Sequence, residues 1–239
     1  MIKFNKRYFN SNTYGNVSFS KFSQYWWANR YYAKIVRCHT AKGGALLEIG
    51  CGLGHFLGML DKDYQTTGID VNSWALKQAR KNTPNSKVKN MPAEDIGKFS
   101  ASNFDVVVIK HVLEHLKNPA LILKKVRRIL KPNGWLLFAT PNPTNLLRPL
   151  KATRWIGLLD PTHISVKPPA EWRVLVKSAG LNITQIWSDG FWDTPYISLI
   201  PNHLQKFLFG GIGGLQAIMG LSFIPVHLGE STIILAQKP

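Results

Sequence analysis

The stretch LLEIGCGLGHF, residues 46–56, decides the fold, because an apolar run gives way there to three alternating glycines. Glu48 lies inside the run, and Gly50, Gly52 and Gly54 follow it. Glycine has no side chain to obstruct a ligand and adopts positive φ readily, so a ligand can approach the backbone closely. A strand followed by such a turn predicts a site for a nucleotide-like molecule.

An acidic residue at the end of the next predicted strand extends this pattern. Asp70 lies 20 residues after Gly50, and its two carboxylate oxygens can accept hydrogen bonds from both hydroxyls of a ribose. The alternative is that Asp70 only caps the helix that follows. The dinucleotide fingerprint G-x-G-x-x-G would need glycine where His55 stands, so the motif here is E-x-G-x-G-x-G.

Short β-branched or leucine-rich runs alternate with helical stretches from residue 45 onward, which is typical of parallel βαβ units. The predicted strands cover residues 45–49, 65–70, 86–90, 104–109, 134–139, 182–187 and 231–236. The predicted helices cover residues 54–62, 72–82, 118–131 and about 168–179. The third helix is expected to end in the turn KPNG, because proline cannot continue a helix.

The chain has 239 residues and 45% hydrophobic content, which suits one domain of ordinary size. Its formal charge of +17 favours an acidic partner: a phosphate-bearing substrate, nucleic acid or an anionic membrane surface. Residues 1–47 contain no acid and many aromatic residues, a combination that can bind single-stranded nucleic acid. The alternative is an amphipathic segment packed on the core, and no signature of an RNA-binding module is present.

Residues 207–226 are long enough to span a bilayer and contain only Gln216 and Ser222 as polar side chains. A span at this position would place the strand predicted at 231–236 on the wrong side of the bilayer from the rest of its sheet. We therefore expect residues 190–229 to form an apolar insertion. It covers the substrate mouth, rests on a membrane surface or folds over the core.

The location of the protein is predicted from its first residues and its cysteines. No apolar signal-peptide region follows Met1, which argues against export. Cys38 and Cys51 are too few for a disulfide framework, and no CxxC pair suggests a zinc site. We expect a cytoplasmic protein, with peripheral attachment to the membrane as an alternative.

Four segments in order resemble the successive motifs of class I S-adenosylmethionine-dependent methyltransferases. They are LLEIGCGLGHF, TTGIDVNSWALKQARKN, PAEDIGKFSASNFDVVVIKHVLEHLKNP and LKPNGWLLFATPNP. The resemblance is dense over residues 45–142, and VLEHL and DPTHI are similar to the branch that includes the ubiquinone-biosynthesis O-methyltransferases. It implies an α/β, Rossmann-like seven-stranded sheet with six parallel strands, a last antiparallel strand and helices on both faces.

The resemblance also implies a single methyltransferase domain over residues 1–239. Its expected parts are an N-terminal helical cap at 1–44, a cofactor-binding core and lid at 45–189, the apolar insertion at 190–229 and the final strand at 230–239.

S-adenosylmethionine is the cofactor that this resemblance implies. Asp70 would bind the ribose hydroxyls, Val71 would contact the adenine face and Lys110 would border the methionine moiety. Pro92 departs from the family, because relatives often have an acidic residue there. Asp95 is one candidate to take its place, and recognition by backbone groups alone is the alternative. The expected cofactor-binding residues are Glu48, Gly50, Cys51, Gly52, Gly54, Asp70, Val71, Ala93, Glu94 and Lys110.

Methyl transfer to a hydroxyl requires that the oxygen lose its proton, which takes a base or a metal ion. In KHVLEHL, His111, Glu114 and His115 are spaced to share one face of a helical turn, and His163 in DPTHI could approach the same pocket. His115, His111 and His163 are the candidate catalytic bases. His111, Glu114 and His115 are the candidate ligands of a divalent metal. Relatives have glutamate where this chain has His111, so a purely structural role stays open.

The segment 143–160 adds Arg148, Lys151 and Arg154 as a basic lid that could hold an acidic substrate, or as solvated surface charges. The sequence as a whole predicts O-methylation of a small-molecule, glycan or lipid-like acceptor. One alternative is a nucleic-acid (ribose 2′-O) methyltransferase, which the positive charge favours. An N-methylating enzyme is disfavoured, because no (D/N)PPY tetrapeptide follows the fourth strand. The other is a non-catalytic cofactor-binding subunit.

Overall fold

The computed structural model describes residues 18–151, 155–192 and 194–239, without the side chain of Ile156. Residues 1–17 of the predicted cap and Arg154 of the predicted lid lie outside the described residues.

Seven strands form one sheet in the order β3-β2-β1-β4-β5-β7-β6. All neighbouring pairs are parallel except β5 with β7 and β6 with β7, so the last strand alone runs antiparallel to the other six. This confirms the predicted fold class. The strands are β1 (Ala45–Ile49), β2 (Gln65–Asp70), β3 (Lys87–Asn90), β4 (Phe104–Lys110), β5 (Leu130–Pro141), β6 (Asn182–Trp187) and β7 (Ser231–Gln237).

Helices pack on both faces of this sheet. The α-helices are α1 (Gln24–His39), α2 (Ser73–Asn82), α3 (Pro119–Ile129), α4 (Arg148–Lys151), α5 (Ile156–Leu159), α6 (Pro169–Ser178) and α7 (Asn202–Met219). Three 3₁₀ turns cover Leu57–Met59, Ala93–Lys98 and Leu113–His115.

The central strands are apolar throughout because both of their faces are covered. In β4, Val107 and Ile109 pack toward α3 and α6, whereas Val106 and Val108 pack toward α1, α2 and α7. The carboxyl ends of β1, β2 and β4 therefore meet at one edge of a rigid sheet.

Two predicted elements differ from the structure. The helix predicted at 54–62 is wrong, because only the 3₁₀ turn Leu57–Met59 forms there. Gly58 lies so close to α2 that a Cβ atom on it would be 2.6 Å from the Asn82 carbonyl oxygen, so this segment serves as a tight connection. The KPNG turn is part of β5, where a register shift opposite Phe104–Val106 accommodates Pro132 as a bulge.

The predicted apolar insertion folds onto the cap helix. α7 runs beside α1, and the Nζ atom of Lys34 donates to the Met219 carbonyl at 2.7 Å. The hydroxyls of Tyr31 and Ser222 form a hydrogen bond of 2.9 Å. None of the helices within the described residues is both long enough and apolar enough to cross a membrane.

The buried side chain of Gln216 connects α7 to the segments on either side of it. Its Nε2 donates to the Ser188 carbonyl at 2.8 Å, and its Oε1 accepts from the Phe223 and Ile224 amides at 3.0 and 2.9 Å. Replacing it by alanine leaves these buried backbone groups unpaired.

We expect Gln216→Ala to lower the free energy of unfolding by about 3 kcal/mol, measured by urea denaturation. Gln185→Ala, on the exposed side of β6, is the matched control and should change it by no more than about 0.5 kcal/mol. Equal losses in the two variants would show that Gln216 does not connect these segments.

Candidate active site

The glycine turn after β1 adopts backbone conformations that side-chain-bearing residues rarely reach. Gly50, Gly52 and Gly54 have φ values of +75°, +50° and +79°. A Cβ atom on Gly50 would lie 2.2 Å from a Val112 methyl group. The amides of Gly50 and Cys51 both donate to the Ile69 carbonyl, at 2.8 and 3.0 Å, so the turn folds back over the end of β2.

Asp70 holds the two strand ends together. Its Oδ2 accepts from the Gly52 amide at 2.8 Å, and its Oδ1 accepts from the Asn72 amide at 2.8 Å. The cap of α2 is Asn72, whose side chain accepts from the Ala75 amide, so the alternative role of Asp70 as the helix cap is wrong. Each carboxylate oxygen has a second lone pair, so Asp70 can still accept hydrogen bonds from a ligand.

A cavity of about 810 Å³ opens where β1, β2 and β4 end, a size typical of small-molecule sites. Gly54 is not among the residues that line this cavity, and it lies close to Ala79 of α2 and to Thr83, which caps that helix. The other nine predicted cofactor-binding residues line it: Glu48, Gly50, Cys51, Gly52, Asp70, Val71, Ala93, Glu94 and Lys110.

A buried ion pair forms one wall of the cavity. The Nζ atom of Lys110 lies 3.2 Å from Oε1 of Glu48, 2.5 Å from Oδ1 of Asn29 and 4.0 Å from the centre of the Phe56 ring. Burial raises the pKa of Glu48 to about 7, although the cation opposes this, and burial lowers the pKa of Lys110. Within the described residues, Oε2 of Glu48 has no hydrogen-bond partner.

Several lining residues were not predicted as site residues, and four of them are polar or aromatic side chains from α1 and from the loop after β6. Tyr25, Asn29 and Tyr32 of α1 cover the cavity, and Asp189 reaches it from the loop after β6. The hydroxyl of Tyr32 donates to Oδ2 of Asp189 at 3.0 Å. Burial raises the pKa of Asp189, although a favourable charge interaction with His111 opposes this. An acid directly after a predicted strand was an available signal for Asp189, whereas nothing in the sequence placed α1 over the cavity.

His111 and His115 both line the cavity, but they do not share a helix face with Glu114 as predicted. His111 precedes the 3₁₀ turn and has φ +52°, an uncommon conformation for a non-glycine residue. Its Nδ1 lies 3.4 Å from Oε1 of Glu114, and its side chain is 41% exposed. Burial lowers the pKa of His111, but Glu114, with a smaller contribution from Asp189, outweighs burial and raises it above the ordinary value.

The structure brings Glu114, His115 and His163 together instead. One potential ligand atom from each residue lies within 4.8 Å of the others, and this is the metal-type cluster found among the described residues. The Glu114 side chain is 0% exposed, and neither of its carboxylate oxygens has a hydrogen-bond partner in the described part of the chain. The predicted metal ligand His111 is replaced by His163 in this cluster.

Hydrogen bonds orient both imidazoles of the cluster. Thr162 donates its hydroxyl to Asp160 and lies 2.8 Å from Nδ1 of His115, so Nδ1 of His115 carries a proton and the ring's lone pair is on Nε2. Nδ1 of His163 lies 3.0 Å from the Gly157 carbonyl, which only accepts, so His163 has the same tautomer. Burial lowers the pKa of His115, which favours its neutral form.

The two described cations of the predicted basic lid contact the protein. The Arg148 guanidinium lies 5.2 Å from the centre of the Trp155 ring and donates to the Pro143 carbonyl. The Lys151 side chain is buried, and its Nζ lies 3.4 Å from the Pro195 carbonyl. Contacts with the protein itself support neither of the two predicted roles of these cations, which were binding of an acidic substrate and a solvated charged surface.

Comparison with known proteins identifies the family to which this fold belongs. The methyltransferase domain family matches residues 24–186, which is more than half of the chain. The chain belongs to this methyltransferase family. A ubiquinone biosynthesis O-methyltransferase of Paracidovorax citrulli is 31% identical over 156 residues, 60% of this chain and 66% of that protein. The corresponding Bordetella bronchiseptica protein is 32% identical, over 61% and 65% of the two chains.

The chain therefore spans slightly less than two thirds of the length of each of these two relatives. A crystal structure of a SAM-dependent methyltransferase from Archaeoglobus fulgidus has a TM-score of 0.62 over 87% of this chain and 94% of that one. At 20% identity, this likeness concerns the fold alone.

S-adenosylmethionine is the cofactor of this methyltransferase fold, and the residues present fit it. β1 and β2 pair directly, so their two ends are adjacent and not separated. The cavity at these ends is open and is lined by the Asp70 carboxylate and by Glu48, whose Oε2 accepts no hydrogen bond from the residues that the structure describes. These acceptors suit the hydroxyl and amino groups of a nucleoside linked to an amino acid.

We expect Asp70→Ala to weaken binding of S-adenosylhomocysteine by at least about 1.5 kcal/mol in calorimetric titration, because a charged hydrogen-bond acceptor is lost. Asp63→Ala is the matched control, since Asp63 lies before the amino end of β2 and pairs with Lys42 and Arg37. Unchanged affinity in Asp70→Ala would mean that the ribose binds elsewhere.

Proposed function

We propose that this protein transfers the methyl group of S-adenosylmethionine to an oxygen atom of a small-molecule or lipid-like acceptor. The observation that carries this proposal is the cluster of Glu114, His115 and His163, which joins the cofactor cavity through His115. An oxygen nucleophile must lose its proton, and this cluster offers the groups that can promote the loss. The name of the two bacterial relatives, ubiquinone biosynthesis O-methyltransferase, supports the same reaction class.

The cofactor supplies a methyl carbon bonded to a positively charged sulfur. The backbone of Gly50 and Gly52 would permit its close approach, and Asp70 would accept hydrogen bonds from the ribose hydroxyls. Val71 would border the adenine face, and Ala93 and Glu94 would lie at the adenine edge. The carboxylate of Glu48 neutralises Lys110 at 3.2 Å, which limits repulsion between that ammonium and the sulfonium.

We propose that Glu114, His115 and His163 hold a divalent cation. A buried carboxylate that accepts no hydrogen bond from the described residues is costly, and a cation would satisfy both of its oxygens. Two imidazoles and one carboxylate are a donor set that suits first-row divalent metals. A cation at this site would lower the pKa of an acceptor hydroxyl. The alternative is that His115 or His163 acts as the general base by itself.

His111 has a different proposed role. Glu114, with a smaller contribution from Asp189, raises the pKa of His111 and favours its protonated form, whereas burial lowers the pKa of His115 and favours its neutral form. The backbone of His111 is in the left-handed region. We propose that His111 positions the acceptor or the Glu114 carboxylate.

A metal-binding measurement separates these roles. We expect the wild type to bind Mn²⁺ or Zn²⁺ in equilibrium dialysis and Glu114→Gln to bind at least about tenfold more weakly, because the amide loses the negative charge. His203→Gln, an exposed residue of α7, is the control and should bind like the wild type. Absence of binding by the wild type would leave His115 or His163 as the general base.

We also propose an acceptor class and a location for this protein. The apolar segments beside the cavity favour a lipid-like acceptor over a glycan or nucleic acid, and Arg148 and Lys151, the two described lid cations, contact the protein and offer little to a phosphate backbone. We propose a cytoplasmic protein that attaches peripherally to the membrane. The division into cap, core with lid, insertion and final strand remains the proposed domain plan.

Labelled cofactor tests the acceptor class. We expect incubation with methyl-labelled S-adenosylmethionine and bacterial lipid extract to give labelled product in the organic phase, because the acceptor is apolar. Total RNA serves as the competing acceptor. Label in RNA would favour the ribose 2′-O alternative, especially if RNA binding weakens steeply with salt. No product with either acceptor would favour a non-catalytic subunit.

A further inference from the structure

The polarity of α7 is reversed relative to an ordinary surface helix. Its two glutamines face the protein and are buried. The side-chain oxygen of Gln205 accepts from the Tyr196 and Ile197 amides, and its nitrogen donates to two backbone carbonyls. Both polar atoms of the side chain are therefore paired with backbone groups. Gln216 is used in the same way. Polar groups thus anchor α7 from the inside.

The opposite side of α7 is apolar and exposed. Phe207 is 79% exposed and Ile218 is 58% exposed, three helical turns apart on one side. Single exposed apolar residues are ordinary, but a stripe along a whole helix marks an interaction surface. We call this stripe the α7 outer face, and it consists of Leu204, Phe207, Leu208, Leu215, Ile218 and Met219.

The lid over the cavity edge extends this surface. Leu146, Leu150, Leu158 and Leu159 are exposed, although the lid cations turn inward. The lid and the insertion are in direct contact, because the Leu146 amide donates to the His227 carbonyl at 2.9 Å. Two neighbouring segments therefore both place apolar side chains in solvent and polar groups inside.

Charge distinguishes between the partners that could cover this surface. The sequence has no Asp or Glu over residues 115–159 or 194–229, and the chain carries +17 in total. A second copy would bring the same charge against itself and would offer no carboxylate from these segments to exposed Lys206. Anionic lipid headgroups supply the missing negative charge, and the acyl region beneath them accepts the apolar side chains.

We propose that the α7 outer face and the lid leucines bind the surface of an anionic lipid bilayer, with α7 lying in the plane of the interface. The contact is peripheral, in agreement with the finding that no described helix could span a membrane. Delivery of a lipid-like acceptor from the bilayer to the nearby cavity rests on the proposed function. Lipid binding gives the proposed peripheral attachment a defined surface, and it is measured without cofactor or acceptor.

Vesicle co-sedimentation tests the proposal. We expect the full chain to bind vesicles of phosphatidylcholine and phosphatidylglycerol in a two-to-one ratio, and to bind pure phosphatidylcholine vesicles much more weakly. The double variant Phe207→Glu/Ile218→Glu should lose at least about tenfold in partitioning, because it places two charges in the interface. Raising the salt concentration should weaken wild-type binding to the anionic vesicles.

A matched control keeps the change in net charge the same. Leu121→Glu/Val174→Glu also adds two acids at exposed apolar positions, but on α3 and α6, which pack on the opposite face of the sheet. It should bind anionic vesicles nearly as well as the wild type. Three results would overturn the proposal. They are no wild-type binding to anionic vesicles, equal binding by the outer-face variant, or a wild-type dimer without lipid that this variant makes monomeric.

A fluorescent label gives a second readout that does not depend on the charged variant. In a Cys38→Ser background, where the remaining Cys51 is buried, Leu215→Cys labelled with an environment-sensitive fluorophore should shift to the blue on anionic vesicles. Labelled Val174→Cys should not shift. Calorimetric binding of S-adenosylhomocysteine should be equal in the wild type and the outer-face variant. Failure of cofactor binding would therefore count against the proposed function and not against the lipid surface.

Discussion

The carboxylate of Asp70 is the constraint on which the site depends. It accepts from the Gly52 amide of the turn after β1 and from the Asn72 amide that begins the connection to α2, each at 2.8 Å. The glycine turn can fold back to meet it only because its glycines adopt positive φ. One side chain thus orders the loop, fixes the edge of the cavity and keeps acceptor capacity toward it.

Two buried carboxylates, those of Glu48 and Glu114, lie at or near this cavity. They differ in the interactions that compensate for their burial. Glu48 is paired with Lys110, and the partial mutual neutralisation makes a cationic side chain tolerable where a positively charged cofactor binds. Glu114 has no hydrogen-bond partner in the described part of the chain and lies among imidazoles that hydrogen bonds hold in one tautomer. An unsatisfied buried carboxylate in such surroundings is typical of a functional site and not of a stabilising one.

The two segments beside the cavity, α7 and the lid, differ from the core strands in where they place their apolar side chains. The core strands bury apolar side chains on both faces, whereas α7 and the lid direct glutamine, arginine and lysine inward and leucine, isoleucine and phenylalanine outward. Their exposed leucine, isoleucine and phenylalanine side chains gain nothing from hydrophobic burial within this chain. Hydrogen bonds between the side chains of Gln205 and Gln216 and nearby backbone groups hold α7 in place, and the proposed contact with lipid would account for the apolar residues outside.

The sequence by itself determined the sheet, its strand boundaries within a few residues, and the convergence of Gly50, Gly52 and Asp70. The strand boundaries follow from local periodicity and the glycine turn from glycine's conformational range, both of which one chain segment displays. The arrangement of six parallel strands and an antiparallel last strand was implied by the family resemblance. Only the tertiary structure decided that His163 and not His111 joins Glu114 and His115, that Asp189 and α1 complete the cavity, and that α7 is inverted. These outcomes depend on which distant segments pack together and on a single backbone angle at His111. Periodicity along a sequence does not encode which face of a helix meets its neighbours.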